Sequence, residues 1–328
     1  MDEAPEMMNA AYVERLGPPE EIRFGGIPVP VPGEGEVLVA VDAVSVNAVD
    51  TFVRSGAYAT EVSFPFVIGR DLVGRVVRAA SGFDEGEWVW TNSLGHAGRQ
   101  GAASAFAVVP ADRLYRLPEG VEPVAMAAVV HAAATAFLAL HTHGRVQGGE
   151  TVLVAGAAGN VGRAAVQIAR DAGARVIAVA GSADLEASLR LGADLAFDYH
   201  DPALGDRLRE ALPGGIDVHL DTSGHHDLDR AVGLLASRGR VILMAGMNAR
   251  PELPVGALYT RDASILGFAI SSATVAELAD AAVLINRMMA AGTLVPGAIE
   301  EVPLSAAASA HGRLEAGTLH GVKVVLRP

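Results

Sequence analysis

The sequence predicts an α/β protein: a β-rich region first, then a doubly wound parallel sheet covered by helices. Three observations carry that expectation. The first third of the 328 residues holds short β-branched runs between Gly- and Pro-rich turns. Near residue 125 strand and helix signals begin to alternate, as βαβ units do. Apolar residues make up 51% of the chain, enough for two cores of ordinary size.

Val37-Leu38-Val39-Ala40-Val41 and Val73-Gly74-Arg75-Val76-Val77 read as strands, with Pro30-Val31-Pro32-Gly33 as a turn. Trp88-Val89-Trp90 and Ala105-Phe106-Ala107-Val108-Val109 add two more. Residues 126–141 are Ala-rich and apolar without Gly or Pro, which predicts a buried helix. Strands at 151–155, 175–180, 217–221 and 241–245 then alternate with helices at 161–172, 184–191 and 227–235. A strand at 263–269, a helix at 275–291 and a terminal strand at 322–326 complete the pattern.

Composition removes several function classes. A formal net charge of −13 sets an unfavourable field for a polyanion, and no Lys/Arg run offsets it, so no nucleic-acid partner is expected. The acidic start, Met1-Asp2-Glu3-Ala4-Pro5, is unlike a signal peptide. Charges, Gly and Pro are expected to interrupt every apolar run before it reaches membrane-spanning length. The expectation is a cytoplasmic protein without a membrane partner. The absence of cysteine rules out disulfides, thiolate nucleophiles and Cys-held zinc. No G-x-S-x-G elbow and no P-loop are present, which argues against a serine hydrolase and a P-loop NTPase.

The strongest motif is Val152-Leu153-Val154-Ala155-Gly156-Ala157-Ala158-Gly159-Asn160-Val161-Gly162. An apolar strand runs into a Gly-rich turn that opens a helix. Small residues there let the backbone approach a pyrophosphate, and the helix N-terminus offers free N–H groups to it. The fingerprint reads A-x-G-x-x-G, with a second strand at the expected distance, which points to a dinucleotide. That second strand ends Val179-Ala180-Gly181-Ser182, with no carboxylate at its tip for the ribose hydroxyls of NAD. NADPH is therefore expected, with NADH second. Asp184 and the lack of a following Lys or Arg pull the other way, while Arg163, Tyr199 and His200 could supply contacts to a 2′-phosphate.

With Ala165-x-Gln167 after it, this motif resembles the signature of the quinone oxidoreductases, the zeta-crystallin group of zinc-independent medium-chain dehydrogenase/reductases included. The run Val46-Asn47-Ala48-Val49-Asp50-Thr51-Phe52-Val53-Arg54-Ser55-Gly56-Ala57-Tyr58 is similar to that family's V-N-x-x-D-T-Y-x-R-S-G-x-Y. Gly69-Arg70-Asp71-Leu72-Val73-Gly74, Thr135-Ala136, Leu191-Gly192-Ala193-Asp194 and Leu220-Asp221-Thr222 also fit, in the family's order. The resemblance implies a GroES-like β domain (1–125 and 272–328) into which a Rossmann domain (126–271) is inserted. It implies an NADPH site lined by Asn47, Thr135, Gly156, Gly159, Asn160, Val161, Gly162, Gly181, Ser182 and Tyr199. Gly246, Phe268 and Ile270 would hold the nicotinamide end. It also implies a homodimer, joined through the apolar strand near Ala263-Ser264-Ile265-Leu266-Gly267-Phe268.

In the zinc enzymes of this superfamily a Cys and the His of a G-H-E segment bind the catalytic metal. Here those positions correspond to Asn47 and Arg70, and a guanidinium does not ligate a metal, so no zinc is expected. The expected activity is hydride transfer from NADPH to a small-molecule acceptor, a quinone or related conjugated carbonyl, with the two rings stacked. Asn47, Tyr58 and Thr135 are candidate donors to the developing oxyanion. Phe52 stands where the family carries a tyrosine, so that phenol is lost. Leu185 stands where a Lys often follows the Gly-Ser pair. The stretch Asn92-Ser93-Leu94-Gly95-His96-Ala97-Gly98-Arg99-Gln100-Gly101 would border the acceptor, so acceptor choice could differ from the family's. The alternatives are an enoyl reductase acting on an α,β-unsaturated carbonyl and a non-catalytic nucleotide-binding protein.

The histidines are ambiguous. His141-Thr142-His143 do not share a helix face and read as surface residues at a helix end. His225-His226 follow a sheet strand at its ligand-binding end and suit either the cofactor or a loop role. His131 lies one helical turn before Thr135, with cleft and core both open to it.

Overall fold

A computed structural model of the chain describes residues 5–328, so the acidic N-terminal expectation at residues 1–4 lies outside them. The chain forms two compact units. One takes the chain up to His131 and again from Leu278; the other is Ala132–Glu277.

The first unit is built on a seven-stranded sheet. Its order is Ala298–Pro303, Val322–Arg327, Glu36–Ser45, Asp71–Val76, Trp88–Thr91 and Tyr115–Arg116, with Phe106–Pro110 also paired to Glu36–Ser45. Val37, Val39, Leu72, Val76, Val89 and Val109 fill its core. A smaller sheet joins Arg23–Pro28, Met7–Val13 and Phe66–Val67. The strand Val322–Arg327 runs antiparallel to Glu36–Ser45, pairing Val325 with Ser45 and Leu326 with Val44. This register brings Lys323, from the end of the sequence, beside Val46 and Asn47. The helix Ala48–Ser55 starts there, capped by Asn47 and Asp50 in a reciprocal box.

The second unit is a six-stranded parallel sheet in the order Leu195–Asp198, Arg175–Ala180, Thr151–Ala155, Ile216–Asp221, Leu235–Leu243 and Ser264–Gly267. Its central strands are apolar on both faces, as a sheet covered by helices requires. The strand order reverses beside Thr151–Ala155, the topological switch point where such sheets bind ligands.

Two expectations are corrected. One uninterrupted apolar helix, Pro123–His143, is long and apolar enough to cross a membrane by length and composition. Of its most apolar window 78% is buried inside the protein, so core packing accounts for its apolarity. Its last turn, Leu138–His143, widens to a π-helix. The histidines there are half-buried packing residues, not surface ones: His141 lies against Phe137 with ring centroids 4.9 Å apart, and His143 stacks on Phe268 at 4.6 Å.

Candidate functional site

In the second unit the loop after Thr151–Ala155 is shaped by glycine. Gly156 has φ +78°, and a Cβ there would sit 2.7 Å from Thr222 Oγ1. At Gly162 a Cβ would lie 2.1 Å from the carbonyl oxygen of Gly156, so the helix Asn160–Asp171 packs too close for any side chain. Gly159 caps that helix in an extended conformation, and a Cβ there would meet nothing nearer than Gly156 O at 3.4 Å. The absence of a side chain at Gly159 thus keeps the approach to the helix N-terminus open, while Asn160 is exposed and Val161 partly so. This cradle fits a dinucleotide pyrophosphate.

At the tip of Arg175–Ala180, Gly181 lies near Tyr199 and Asp184: its Cβ would be 3.6 Å from the Tyr199 ring and 3.9 Å from an Asp184 carboxylate oxygen. Ser182 is exposed and opens the short turn Ser182–Asp184. Tyr199 is exposed and its ring meets His200 at 4.0 Å, while His200 Nδ1 lies 3.0 Å from Asp198 Oδ1. Arg163, on the first turn of Asn160–Asp171, keeps a buried Nε without a hydrogen-bond partner.

Further along the sheet, His226 Nδ1 lies 2.7 Å from Asp221 Oδ2 and its Nε2 lies 2.9 Å from the carbonyl of Ala245. Both partners are acceptors, an arrangement that favours protons on both ring nitrogens. Burial disfavours that charge, but the Ala245 carbonyl and the Asp221 carboxylate outweigh it and raise the pKa. The His226 ring bridges the ends of two strands and packs on Gly246, whose φ is +76°. Phe268 and Ile270 follow the edge strand, both partly buried. Thr135 is buried in the long helix of this unit.

In the first unit, buried polar side chains converge from four stretches of sequence. Asp71 Oδ2 accepts hydrogen bonds from Ser45 Oγ and Asn47 Nδ2, each 2.7 Å. His131 Nδ1 lies 3.4 Å from Asp71 Oδ1. Lys323 Nζ donates to the carbonyl of Val46 (2.9 Å) and to Asn47 Oδ1. Asp50 Oδ2 accepts from the Asn47 backbone N–H at 2.7 Å. Burial would raise the Asp71 carboxyl, but His131, Lys323 and Ser45 hold it below the usual range. Asp50 is pushed up to about 7, by burial first and then by the charge of Asp71. Burial also lowers Lys323, against the pull of Asp71 and Asp50.

Asn47 therefore commits its amide to this network: its N–H groups face Asp71 and Ser45, and its oxygen faces Lys323. Tyr58 lies in the same unit, its ring 5.8 Å from that of His96. Phe52 is 40% exposed, so its ring is available to a ligand. Arg70 is buried beside Asp71. Sequence reasoning missed Lys323 and Asp50 as members of this network. The only signal for Lys323 was a lysine inside the apolar run Val322-Lys323-Val324-Val325, an unusual place for a charge. Among the described residues no group of three or more His, Asp or Glu could hold a metal ion.

Two domain families match the chain: the alcohol dehydrogenase GroES-like domain over residues 33–119 and zinc-binding dehydrogenase over residues 160–285. The chain is 31% identical to the quinone oxidoreductase of Homo sapiens, over 98% of both proteins. It is 33% identical to prostaglandin reductase-3 of Bos taurus, over 80% of this chain and 73% of that one. Its structure is similar to that of Escherichia coli quinone oxidoreductase complexed with NADPH, with a TM-score of 0.85 and 25% identity over 98% of this chain and all of that one.

Proposed function

The chain belongs to the quinone oxidoreductase family of the medium-chain dehydrogenase/reductases, and on that basis we propose that it is an NADPH-dependent quinone reductase. The observation that carries this reading is the glycine cradle at 156–162, at the switch point of a parallel sheet, in a chain aligned with a quinone oxidoreductase from end to end.

When bound, NADPH supplies a hydride. With one proton it converts a quinone to a hydroquinone and leaves NADP⁺. The chain's part is to bind and orient. Gly156, Gly159, Gly162 and the N-terminus at Asn160 and Val161 hold the pyrophosphate. Gly181, Ser182 and Tyr199 hold the adenosine ribose and its 2′-phosphate. Gly246, Phe268 and Ile270 meet the nicotinamide end, with His226 holding Gly246 in place. Asn47 acts through the network that it anchors, while Tyr58 and Thr135 offer hydroxyl donors to the acceptor oxygen, and Phe52 offers a ring. Arg70 brings a positive charge to the position where the zinc enzymes carry a histidine ligand, so the reading includes no catalytic metal.

An acceptor screen tests this: NADPH oxidation, followed by absorbance, should proceed with quinones and survive a chelator. Failure with every acceptor would leave a non-catalytic nucleotide-binding protein. The similarity to prostaglandin reductase-3 favours a second reading, reduction of an enone C=C bond, and higher turnover with enones than with quinones would establish it. The reading also includes a homodimer. Ser264–Gly267 pairs on one side only and is one of the two edges of the parallel sheet, where a second copy could add its own edge. Light scattering should report twice the chain mass, and a monomer at all concentrations would exclude it.

A further inference from the structure

Resting on the quinone-reductase reading, we infer that His226 is a positioning residue for hydride transfer. As a cation it fixes the backbone corner at 245–246, the proposed nicotinamide end, and its deprotonation slows transfer without loosening the hold on the cofactor's phosphates. The geometry belongs to one loop of the second unit, residues 221–226, between the strand Ile216–Asp221 and the helix Leu228–Gly233.

That loop has two anchors, and they differ chemically. At its start Thr222 ties it to the glycine cradle. The Thr222 N–H and hydroxyl donate to Ala155 O at 3.0 and 2.9 Å, and Oγ1 lies 3.2 Å from Gly156 O. None of these groups titrates, so this anchor is indifferent to pH. At the loop's end the anchor is His226, whose side chain is only 4% exposed. Its Nδ1 lies 2.7 Å from Asp221 Oδ2 and its Nε2 lies 2.9 Å from Ala245 O. Backbone meets backbone beside it. A Cβ at Gly246 would lie 2.7 Å from His226 Nε2 and 2.8 Å from Gly224 O, and one at Gly224 would lie 3.2 Å from Gly246 N. The corner at 245–246 thus takes its place from direct contact with this loop.

One proton decides whether that contact is attractive. A neutral imidazole has one N–H and one lone pair. The Asp221 carboxylate would keep the N–H, because charge-assisted hydrogen bonds are the stronger ones. Nε2 would then present its lone pair to the Ala245 carbonyl oxygen, and the corner would be pushed away. Burial opposes the cation, yet the Ala245 carbonyl and the Asp221 carboxylate hold the ring above the ordinary histidine range. The clip is therefore complete below about pH 6.5, the ordinary histidine value, and is lost as pH rises through the raised one.

The neighbouring titratable groups leave Asp221 as the charge that acts on His226. The other oxygen of Asp221 accepts from the Ser223 N–H (2.8 Å) and hydroxyl (2.7 Å). His219, on the same strand, is pushed down to about 4, by burial first, and stays neutral. His225 is exposed, with Nδ1 3.2 Å from Ser223 O. Asp227 and Arg230 pair with each other at 3.4 Å at the start of the helix, and Asp229 there is exposed. The facing segment, Met244 to Ala249, carries no titratable side chain, and Arg250 beyond it donates to Ala249 O. Phosphate contacts supply affinity, whereas rate depends on how the reacting carbon is aimed, and a misplacement of about 1 Å can cost a hundredfold.

The test uses the full chain loaded with NADPH and tetramethylbenzoquinone, which has no ring hydrogen for alkali to replace. Single-turnover oxidation of bound NADPH should slow at least fivefold from pH 6.5 to pH 9.5, along one titration above the ordinary histidine value. The Kd for NADPH should change less than twofold over the same range. His226→Gln, which cannot titrate, should be slow and flat in pH, with NADPH affinity kept. Asp221→Asn should move the titration to lower pH, since the charge that holds the proton is gone. Thermal melts confirm that the variants fold. A wild-type rate that does not fall with pH would overturn the inference. So would a fall that persists in His226→Gln, or a variant that loses NADPH affinity and keeps its transfer rate. If no quinone is reduced, the functional reading fails but this inference is still decided by the nicotinamide fluorescence of bound NADPH. That emission should follow the same titration in the wild type and stay constant in His226→Gln. Emission that ignores pH in the wild type, or no NADPH binding at all, ends the proposal.

Discussion

At Gly162 the distance that matters is between a missing side chain and a backbone oxygen, 2.1 Å; at Asp71 it is 2.7 Å between a buried carboxylate and each of two side chains. The Rossmann unit makes its site from backbone, with glycines that let main chain approach main chain and leave N–H groups open. The GroES-like unit makes its site from side chains, buried and charged, each compensating another. The first kind of site fails by steric exclusion and the second by loss of charge balance, so the two should respond differently to substitution.

The largest effect should come from the side-chain cluster. Lys323→Met leaves Asn47 Oδ1 and the Val46 carbonyl without their donor and removes a positive charge facing Asp71. Removing one partner from a buried charge network costs about 3–5 kcal/mol. Urea denaturation should show a loss of that order, and adding Asp71→Asn to Lys323→Met should restore part of it. A loss under about 1 kcal/mol would mean that the cluster is wetter than its burial indicates.

The backbone site comes next. Gly162→Ala places a methyl group where the Gly156 carbonyl stands, so the loop or the helix must shift. NADPH affinity should fall at least a hundredfold, about 2.7 kcal/mol, with little change in the melting of the first unit. Unchanged affinity would show that the cofactor does not rest on this loop.

The same contrast explains what was legible in the sequence. The motif at 156–162 is contiguous, and steric exclusion forces glycine at fixed spacing, so both the strand–turn–helix and its ligand class could be read directly. The parallel sheet followed from the alternation of signals. The cluster around Asp71 draws on Ser45, Asn47, Asp50, His131 and Lys323; one antiparallel register pairs Ser45 with Asp71, and a second brings Lys323 from the last strand beside them. No local pattern encodes either register. The resemblance pointed to Asn47, yet its role as a hub, with every amide atom already engaged, emerges only in three dimensions. The helix Pro123–His143 misled for a related reason: a segment buried all round and a membrane span share one composition.

Asp50 gives the side-chain unit a pH signature that the glycine loop cannot have. Its pKa, about 7 in the folded protein, lies above the roughly 3.9 of an unfolded aspartate. The stability contributed by protonated Asp50 is therefore fully present below about pH 4 and is lost as pH rises through about 7. Asp50→Asn keeps a neutral side chain that can still accept from the Asn47 N–H. The stability of the variant relative to the wild type should thus improve from pH 4 to pH 8, with other titrations cancelling in the difference. A constant difference would show that Asp50 stays ionised throughout.

The smallest effect is expected at Phe52, and it asks whether the first unit contributes a proton or only a surface. The family's tyrosine is replaced here by an exposed phenylalanine, which keeps the ring and loses the hydroxyl. A quinone that accepts hydride becomes a stabilised hydroquinone anion, which can take its proton from water afterwards. General acid catalysis then adds little to the rate. Phe52→Tyr should change quinone turnover by less than roughly tenfold, about 1.4 kcal/mol in barrier height. An enone behaves differently, because its enolate is more basic and gains more from a nearby donor. Turnover of both acceptor classes by wild type and variant separates the cases. A gain confined to enones would fit a ring that positions quinones. A large gain with quinones would mean that the hydroxyl matters to the chemistry, and that this chain's own acceptor is of another kind.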